Sequence, residues 1–433
     1  MSISPLHIFV FNSLEDEWKF SQSIGSSYLL ADSYLYMNSD YSNDIVIMPI
    51  PVSPLFKAYV DSLVGIKSII YTPVHTTHSI CKNSIADKRV FSALIKEAKK
   101  RNNTIVLKAY VSTVELLLLR DAFKKKGVKV LLPENTEREH LWTIDFFGSK
   151  AGFRSMFSSF MPKGSICYSI SEAIQKAQEL YKSKKAIVIK TNKGNSGEGV
   201  VIIKNMINPD FKALFSAASY WKDNPIVIEE FIDTIKEKLS RFPSIEGFIT
   251  PEGKVRLPYY CNMIVTKEGE FYGIEMHKDV ITEKVRKEMN KMTIHIGKTY
   301  ANAGYRGRFD VDYLYDGKIL YANESNTRTN GGTDTYFVSR KLIGSSFFSS
   351  RYVLSNYLEL NKKTTFHAIQ RLLASLLYDR KKRIGFILGS ENALHHKGLS
   401  FILIGHDKIH TQLLLKKMNT LLKSILTIKK NKQ

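Results

Sequence analysis

The sequence predicts a mixed α/β protein in three parts: an N-terminal α/β domain on a parallel sheet over residues 1–140, a central region over 141–345, and a smaller C-terminal α+β extension over 346–433. Three observations carry this. The first 140 residues alternate short apolar, β-branched runs with amphipathic stretches, the grammar of strands joined by helical crossovers. From about Trp142 the grammar changes, and strand follows strand across tight turns. Beyond Leu342 helices predominate.

Taken in order, residues 7–11 (HIFVF), 44–49, 68–72, 104–111 and 128–132 are predicted strands, too short and too β-branched for helices. Between them, Asp87 to Arg101 and Thr113 to Gly127 have helical spacing with lysines in the last turn, and Gly127 closes the second. No G-x-G-x-x-G follows the first strand, which argues against a dinucleotide site there. Helices are predicted from Gly148 to Phe160 and Ser171 to Lys182. A strand from Ala186 to Lys190 then runs through a glycine-rich turn into a second from Val200 to Lys204. Next come a strand from Ile226 to Glu229, antiparallel strands between Glu246 and Met276, and a helix from Thr282 to Ala303. Strands from Phe309 to Tyr315 and Lys318 to Asn323 turn at Asp316-Gly317, a strong hairpin signal. The last part is expected to hold helices at 350–360 and 364–380, a hairpin near 383–404 and a final amphipathic helix from His410 to Ile428.

Composition narrows the function classes. The 433 residues carry 63 Lys+Arg against 41 Asp+Glu, a net charge of +22. With 44% hydrophobic residues, and Gly and Pro at 24 and 12, the chain is globular rather than disordered or collagen-like. The three cysteines, Cys81, Cys167 and Cys261, are far apart, so no disulfide framework or cysteine metal site is expected. The start lacks a signal-peptide pattern and no stretch has 18 apolar residues in a row, so a cytoplasmic protein without membrane contact is expected. The lysines are scattered, with a local run only at Lys429, Lys430 and Lys432, so nucleic acid is not the favoured partner.

Two segments can carry chemistry. In AIVIKTNKGNSGEGVVIIK, Gly194, Gly197 and Gly199 with Ser196 leave a backbone whose N–H groups can close over phosphate oxygens, and Lys190 stands at the strand end as a positive charge. A P-loop is excluded, because strand follows strand and no Gly-Lys-Ser/Thr occurs. In GRFDVDYLYDGKILYANESNTRTNGG, Asp310 and Asp312 share a strand face, and the hairpin returns Glu324 and Asn326 on the neighbouring strand. Carboxylates with an amide oxygen, and no His or Cys, suit Mg²⁺ held jointly with nucleotide phosphates. Arg328 can offer a bidentate cation to a phosphoryl oxygen, and Arg306 and Arg308 could take a substrate carboxylate. Glu229 and Glu230 end a buried strand where backbone and carboxylate could read an adenine edge. Glu275 and His277 share the i, i+2 spacing but lack a partner acid, and His395, His396, His406 and His410 show no convergence that would argue for a metal.

With Lys150 in GSK, Lys190 in IVIK, the loop GNSGEG, the strand IVIEEFI and the ending ESNTR, the run from Lys150 to Gly332 resembles an ATP-grasp domain. That resemblance implies two α+β lobes, ATP and Mg²⁺ (or Mn²⁺) as cofactors, and an ADP-forming carboxylate–amine ligase acting through an acylphosphate. Carried over, Lys150 and Lys190 are phosphate lysines, and Glu229, Glu230, Phe231 and Ile232 the adenine hinge. Asp312, Glu324 and Asn326 become metal ligands, with Asp310 fitting the first slot equally by spacing, and Arg328, Lys190 and Arg308 act on the reacting groups. GYRGRFDVDY and NESNTRTNGGT, with a domain on either side, also resemble the pheganomycin-type peptide ligases. The expected partners are therefore amino acids or short peptides, with a homodimer as the default assembly. Two other expectations stand beside this: an ATP-grasp enzyme of carboxylase-like or nucleotide-precursor type, and a basic binding protein with a degenerate grasp fold.

Overall fold

The computed structural model describes residues 4–17, 29–37, 44–194, 199–222, 225–234, 239–266 and 269–426. They form two compact units, one of Met1–Asn135, Gly273–Lys278 and Gly331–Gln433, the other of Thr136–Tyr272 and Asp279–Asn330. Among the described residues no helix is long and apolar enough to cross a membrane.

In the first unit, β1 (Leu6–Val10), β2 (Ile45–Ile47), β3 (Ile69–Tyr71), β4 (Thr104–Ala109) and β5 (Lys129–Leu131) form an all-parallel sheet in the order β3-β2-β1-β4-β5. Ile8, Val10, Ile45 and Leu107 of the strands pack with Leu94, Leu116 and Phe123 of the crossover helices Lys88–Lys99 and Val114–Lys125. Each helix starts on a side-chain cap: Asp87 accepts from the Val90 N–H and Thr113 from the Leu116 N–H.

The second unit opens with the helices Trp142–Phe147 and Lys150–Phe157. Next come β6 (Gly164–Cys167), β7 (Ala186–Thr191), β8 (Val200–Lys204) and β9 (Ile226–Glu230), an antiparallel sheet in the order β6-β9-β7-β8. The helix Ile170–Lys184 covers it through Ala173, Ala177 and Tyr181. β10 (Pro243–Ile249) and β11 (Val255–Val265) follow, then β12 (Phe271–Met276), whose residues from Gly273 onward belong to the first unit. The helix Glu283–Asn302 precedes β13 (Gly307–Tyr315) and β14 (Leu320–Asn326), and β14-β13-β10-β11 pair antiparallel. At the β13–β14 turn, Asp316 Oδ1 accepts from the N–H groups of Lys318 and Ile319 while Gly317 takes φ +97°, the backbone the Asp-Gly pair predicts. Tyr300 ties the lobes together. Its ring stacks on Phe147 at 4.1 Å and meets Phe309 of β13 edge-on at 5.2 Å.

The C-terminal part completes the first unit with β15 (Tyr352–Glu359), β16 (Gly385–Ser390) and β17 (Gly398–Gly405), which pair antiparallel in the order β12-β15-β17-β16. The stretch expected as a helix at 350–360 is therefore a strand. Tyr352, Val353 and Leu354 are all buried and Ser355 to Leu358 half-buried, so the stretch shows no clean period-two alternation that would mark it as a strand. The stretch expected as a helix at 364–380 is the shorter helix Phe366–Leu372 and a single turn, Ala374–Leu376. The last helix spans Lys408–Leu421, capped by Asp407. Lys429, Lys430 and Lys432 lie outside the described residues.

Candidate functional site

Both lysines singled out in the sequence are held by the short connection around Asn192. The Lys150 N–H donates to the Asn192 carbonyl at 2.9 Å and the Ala151 N–H to Asn192 Oδ1 at 3.0 Å, which fastens the start of the helix Lys150–Phe157 to the end of β7, where Lys190 sits. Ser149 caps that helix by accepting from the Gly152 N–H. Gly148 is needed just before it, because a Cβ would lie 2.5 Å from Thr327 Oγ1. Of the glycine loop, Gly194 and Gly199 are described, while Ser196 and Gly197 lie outside the described residues. Gly199 has φ +73°, and a Cβ there would meet Thr191 Oγ1 at 2.1 Å.

Register brings the acids together. Asp312 lies opposite Glu324 and Asp310 opposite Asn326 across β13 and β14, and β10 places Ser244 beside Asp312 and Glu246 beside Asp310. The sheet face thus carries two polar rows, Ser244-Asp312-Glu324 and Glu246-Asp310-Asn326. Lys150 reaches this face: its Nζ lies 3.3 Å from Glu324 Oε2. Lys190 Nζ donates to Asn323 Oδ1 at 2.8 Å and pairs with Glu229 Oε2 at 2.6 Å. Phosphate lysines and candidate metal acids therefore form one cluster, contributed by both sheets of the unit.

The electrostatics differ along the rows. Burial pushes the Asp312 carboxyl well above the usual range, and the charges of Asp310 and Glu324 push the same way, against a hydrogen bond from Ser244. Burial also raises Asp310, opposed by hydrogen bonds from Asn326 and by the Arg328 charge. Burial alone would raise Glu324 too, but Lys150, Lys190 and Arg328 hold it below the usual range. Asp310 Oδ1 accepts from both the backbone N–H and Nδ2 of Asn326, each at 2.9 Å, which leaves Asn326 Oδ1 as the atom that amide can offer. Among the described residues no three or more of His, Cys, Asp and Glu form a ready-made cation cage. The oxygen-only donor set of Asp312, Glu324 and Asn326, with Asp310 beside it, nonetheless fits a hard divalent ion shared with phosphate oxygens.

Other expected residues have different surroundings. The Glu229 carboxylate is 2% exposed and lies between Lys190 and Arg154, away from any outer edge of its strand. Glu230 pairs with Lys184 at 2.6 Å and accepts from the Lys163 N–H; burial would raise its carboxyl, but these partners hold it below the usual range. Lys204 lies 4.7 Å over the Phe231 ring, and Ile232 is half-buried. Arg308 pairs with the fully buried Glu246 at 2.5 Å. Arg306 is corrected: its guanidinium donates to the carbonyls of Pro251, Ala301 and Tyr305 at 2.8–3.0 Å, which commits it to closing the end of the helix Glu283–Asn302. Glu275 lies 3.9 Å from Lys408, and the His406 and His410 rings stack on each other.

Sequence reading passed over Arg154, Asn192, Glu246 and Asn323. Arg154 was within reach, since it stands four residues after Lys150 on one helical face. Glu246 and Asn323 depend on strand register, which spacing alone does not give.

A family model described as "Prokaryotic glutathione synthetase, ATP-grasp domain" matches residues 153–304, a span that includes Arg154, Lys190 and Glu229 and ends just before the acidic hairpin. Among solved structures, the chain resembles the carboxyaminoimidazole ribonucleotide synthase of Aspergillus clavatus complexed with ATP (TM-score 0.57, 11% identity, 98% of this chain and 100% of that one). It also resembles the biotin carboxylase of Campylobacter jejuni (0.55, 14%, 98% and 92%) and the N5-carboxyaminoimidazole synthetase of Staphylococcus aureus complexed with ADP (0.54, 13%, 96% and 98%). No curated sequence matches the chain. Together the domain match and these likenesses define the fold: an ATP-grasp fold, preceded by a parallel α/β sheet and followed by further strands and helices.

Proposed function

We propose that the chain is an ATP-dependent ligase that joins the carboxylate of an amino acid or short peptide to an amine, releasing ADP and phosphate. The observation that carries this is the cluster in which Lys150 and Lys190 meet Glu324, Asp312 and Asn323: cations for a triphosphate beside oxygen ligands for its metal. The reading includes the division into an N-terminal part over 1–140, the grasp over 141–345 and an extension over 346–433.

In this account Lys150 and Lys190 bind the phosphates, beside the backbone of Gly194 and Gly199. The backbone from Glu229 to Ile232 reads adenine, because the Glu229 side chain is already engaged by two cations. Asp312, Glu324 and Asn326 would hold Mg²⁺ or Mn²⁺. Asp310 orients the Asn326 amide, which supports Asp312 as the first ligand. When bound, the cation offsets phosphate charge and aligns the phosphates.

A carboxylate is a poor electrophile at neutral pH. Its oxygen attacks the γ-phosphorus, the bond to the β–γ bridging oxygen breaks and ADP leaves. The amine nitrogen then attacks the acyl carbon, phosphate departs, and the surplus amine proton passes to phosphate or solvent. Arg328, whose charge already acts on Glu324, Asp310 and Asp312, stabilises the transferring group. Arg308, anchored by Glu246, is the residue assigned to a substrate carboxylate.

The pheganomycin-like stretches GYRGRFDVDY and NESNTRTNGGT and the glutathione-synthetase domain match favour a peptide product. The full-length likeness to carboxyaminoimidazole synthases and biotin carboxylase favours a second reading, in which bicarbonate is the activated carboxylate. A phosphate-release screen with ATP, Mg²⁺, pairs of amino acids, dipeptides and bicarbonate, with products weighed by mass spectrometry, separates them. A single amide product supports the first reading, and a carbamate formed only with bicarbonate supports the second. No turnover with any pair contradicts both. A cytoplasmic homodimer is the matching assembly, checked by sedimentation.

A further inference from the structure

We infer that Arg154 is a positioning residue for nucleotide phosphates, acting through Glu229 on Lys190; the inference rests on the nucleotide reading of the site. Glu229 divides its carboxylate between two cations. Oε1 accepts from Arg154 Nη2 at 2.9 Å and Nε at 3.3 Å, and Oε2 meets Lys190 Nζ at 2.6 Å. Arg154 is fixed independently, because Nη2 also donates to the Pro162 carbonyl at 2.6 Å. Gly164, opposite Glu229 across β6 and β9, makes the room: a Cβ there would lie 3.0 Å from Arg154 Nη2 and 2.2 Å from the Ile228 carbonyl.

All three side chains are at most 5% exposed, and they set two cations against one anion. The charge of Lys190 also acts on Glu324, so the group's second cation stands between two carboxylates and its position depends on how Glu229 is shared. Lys190 is the member that reaches the acid-lined end of the cluster, through Asn323. An ammonium has three donors. Glu229 and Asn323 take two, leaving one for an incoming oxygen. With a neutral residue at 154, both Glu229 oxygens turn to Lys190, and the closed, neutral pair competes with phosphate for the ammonium. By taking one oxygen of Glu229, Arg154 therefore keeps Lys190 available without touching the nucleotide.

A purely structural ion pair would have a different signature, and calorimetric titration of the full chain with MgATP and, separately, adenosine distinguishes the two. Arg154→Met is expected to weaken MgATP roughly tenfold and leave adenosine unchanged, since adenosine has no phosphate for Lys190 to meet. Arg154→Lys, which keeps a cation beside Glu229, should recover most of the loss, and it serves as the readout if the Met variant does not fold. Lys190→Met and the Arg154→Met/Lys190→Met double variant should bind MgATP equally, because the effect passes through Lys190. Equal losses for MgATP and adenosine, an additive double variant, or an unchanged Arg154→Met would each overturn the inference. A wild-type chain that binds neither ligand overturns the nucleotide reading itself.

Discussion

In the first unit, Glu15 and Asp32 are buried carboxylates surrounded by donors. Glu15 accepts from Asn12 Nδ2, the Ser79 and Thr113 hydroxyls and the Cys81 N–H at 2.5–3.1 Å, and Asp32 from the Ser390 hydroxyl and the N–H groups of Glu391 and Asn392 at 2.6–2.9 Å. In the second unit, Asp312 is buried beside two other acids, Asp310 and Glu324, relieved by a hydrogen bond from Ser244 and by the Arg328 charge, while Lys150 and Lys190 act on Glu324. The first arrangement closes on itself and contributes to folding. In the proposed function the second is completed by an added cation and an added anion, the two components of a metal–nucleotide complex.

Substitutions can break or sharpen that contrast. Glu324→Gln should reduce Mg²⁺-dependent ADP formation by about a thousandfold or more while thermal unfolding stays near wild type; retained turnover would put Glu324 with the structural acids. Arg328→Ala should lower turnover about a hundredfold, the worth of one oxyanion donor of roughly 3 kcal/mol, with nucleotide affinity nearly intact. Unchanged turnover would remove Arg328 from the chemistry. Glu15→Ala should do the opposite, costing about 3 kcal/mol in urea unfolding by stranding buried donors, with MgADP affinity of the folded chain unchanged. The smallest effect concerns pH. Burial raises the Asp32 carboxyl from 3.8 to about 6. A folded-state pKa above the unfolded one means that stability is fully present below about pH 4 and falls as pH rises through about 6. The stability difference between wild type and Asp32→Asn should therefore shrink over that range, and a pH-independent difference would mean that burial does not control this acid.

The acidic hairpin was legible because its parts are local: an Asp-Gly turn, a two-residue period and a short return strand bring Asp310, Asp312, Glu324 and Asn326 to neighbouring strands, while the register shift beside Tyr313 that sets Asp312 opposite Glu324 rather than Asn323 shows only in the fold. The glycine hairpin and the N-terminal parallel sheet were legible for the same reason, with caps at Asp87 and Thr113 marking helix starts. Residues whose roles depend on distant partners were not. Glu229 looked like the polar end of a strand, and only folding reveals that Arg154, 75 residues earlier, takes half of its carboxylate. Arg306 offered a free guanidinium by spacing, yet three backbone carbonyls claim it. β15 was misread because Tyr352–Glu359 lacks a clean alternation of buried and exposed positions.

The central claim is that paired lysines and hairpin acids form one site for a metal–nucleotide complex. Titration calorimetry with ADP, with and without Mg²⁺, on wild type and Lys190→Met tests it most directly. The account predicts that wild type binds ADP, that Mg²⁺ tightens binding at least about tenfold, and that Lys190→Met loses most of this affinity. Equal binding by Lys190→Met, or no Mg²⁺ dependence, would contradict it.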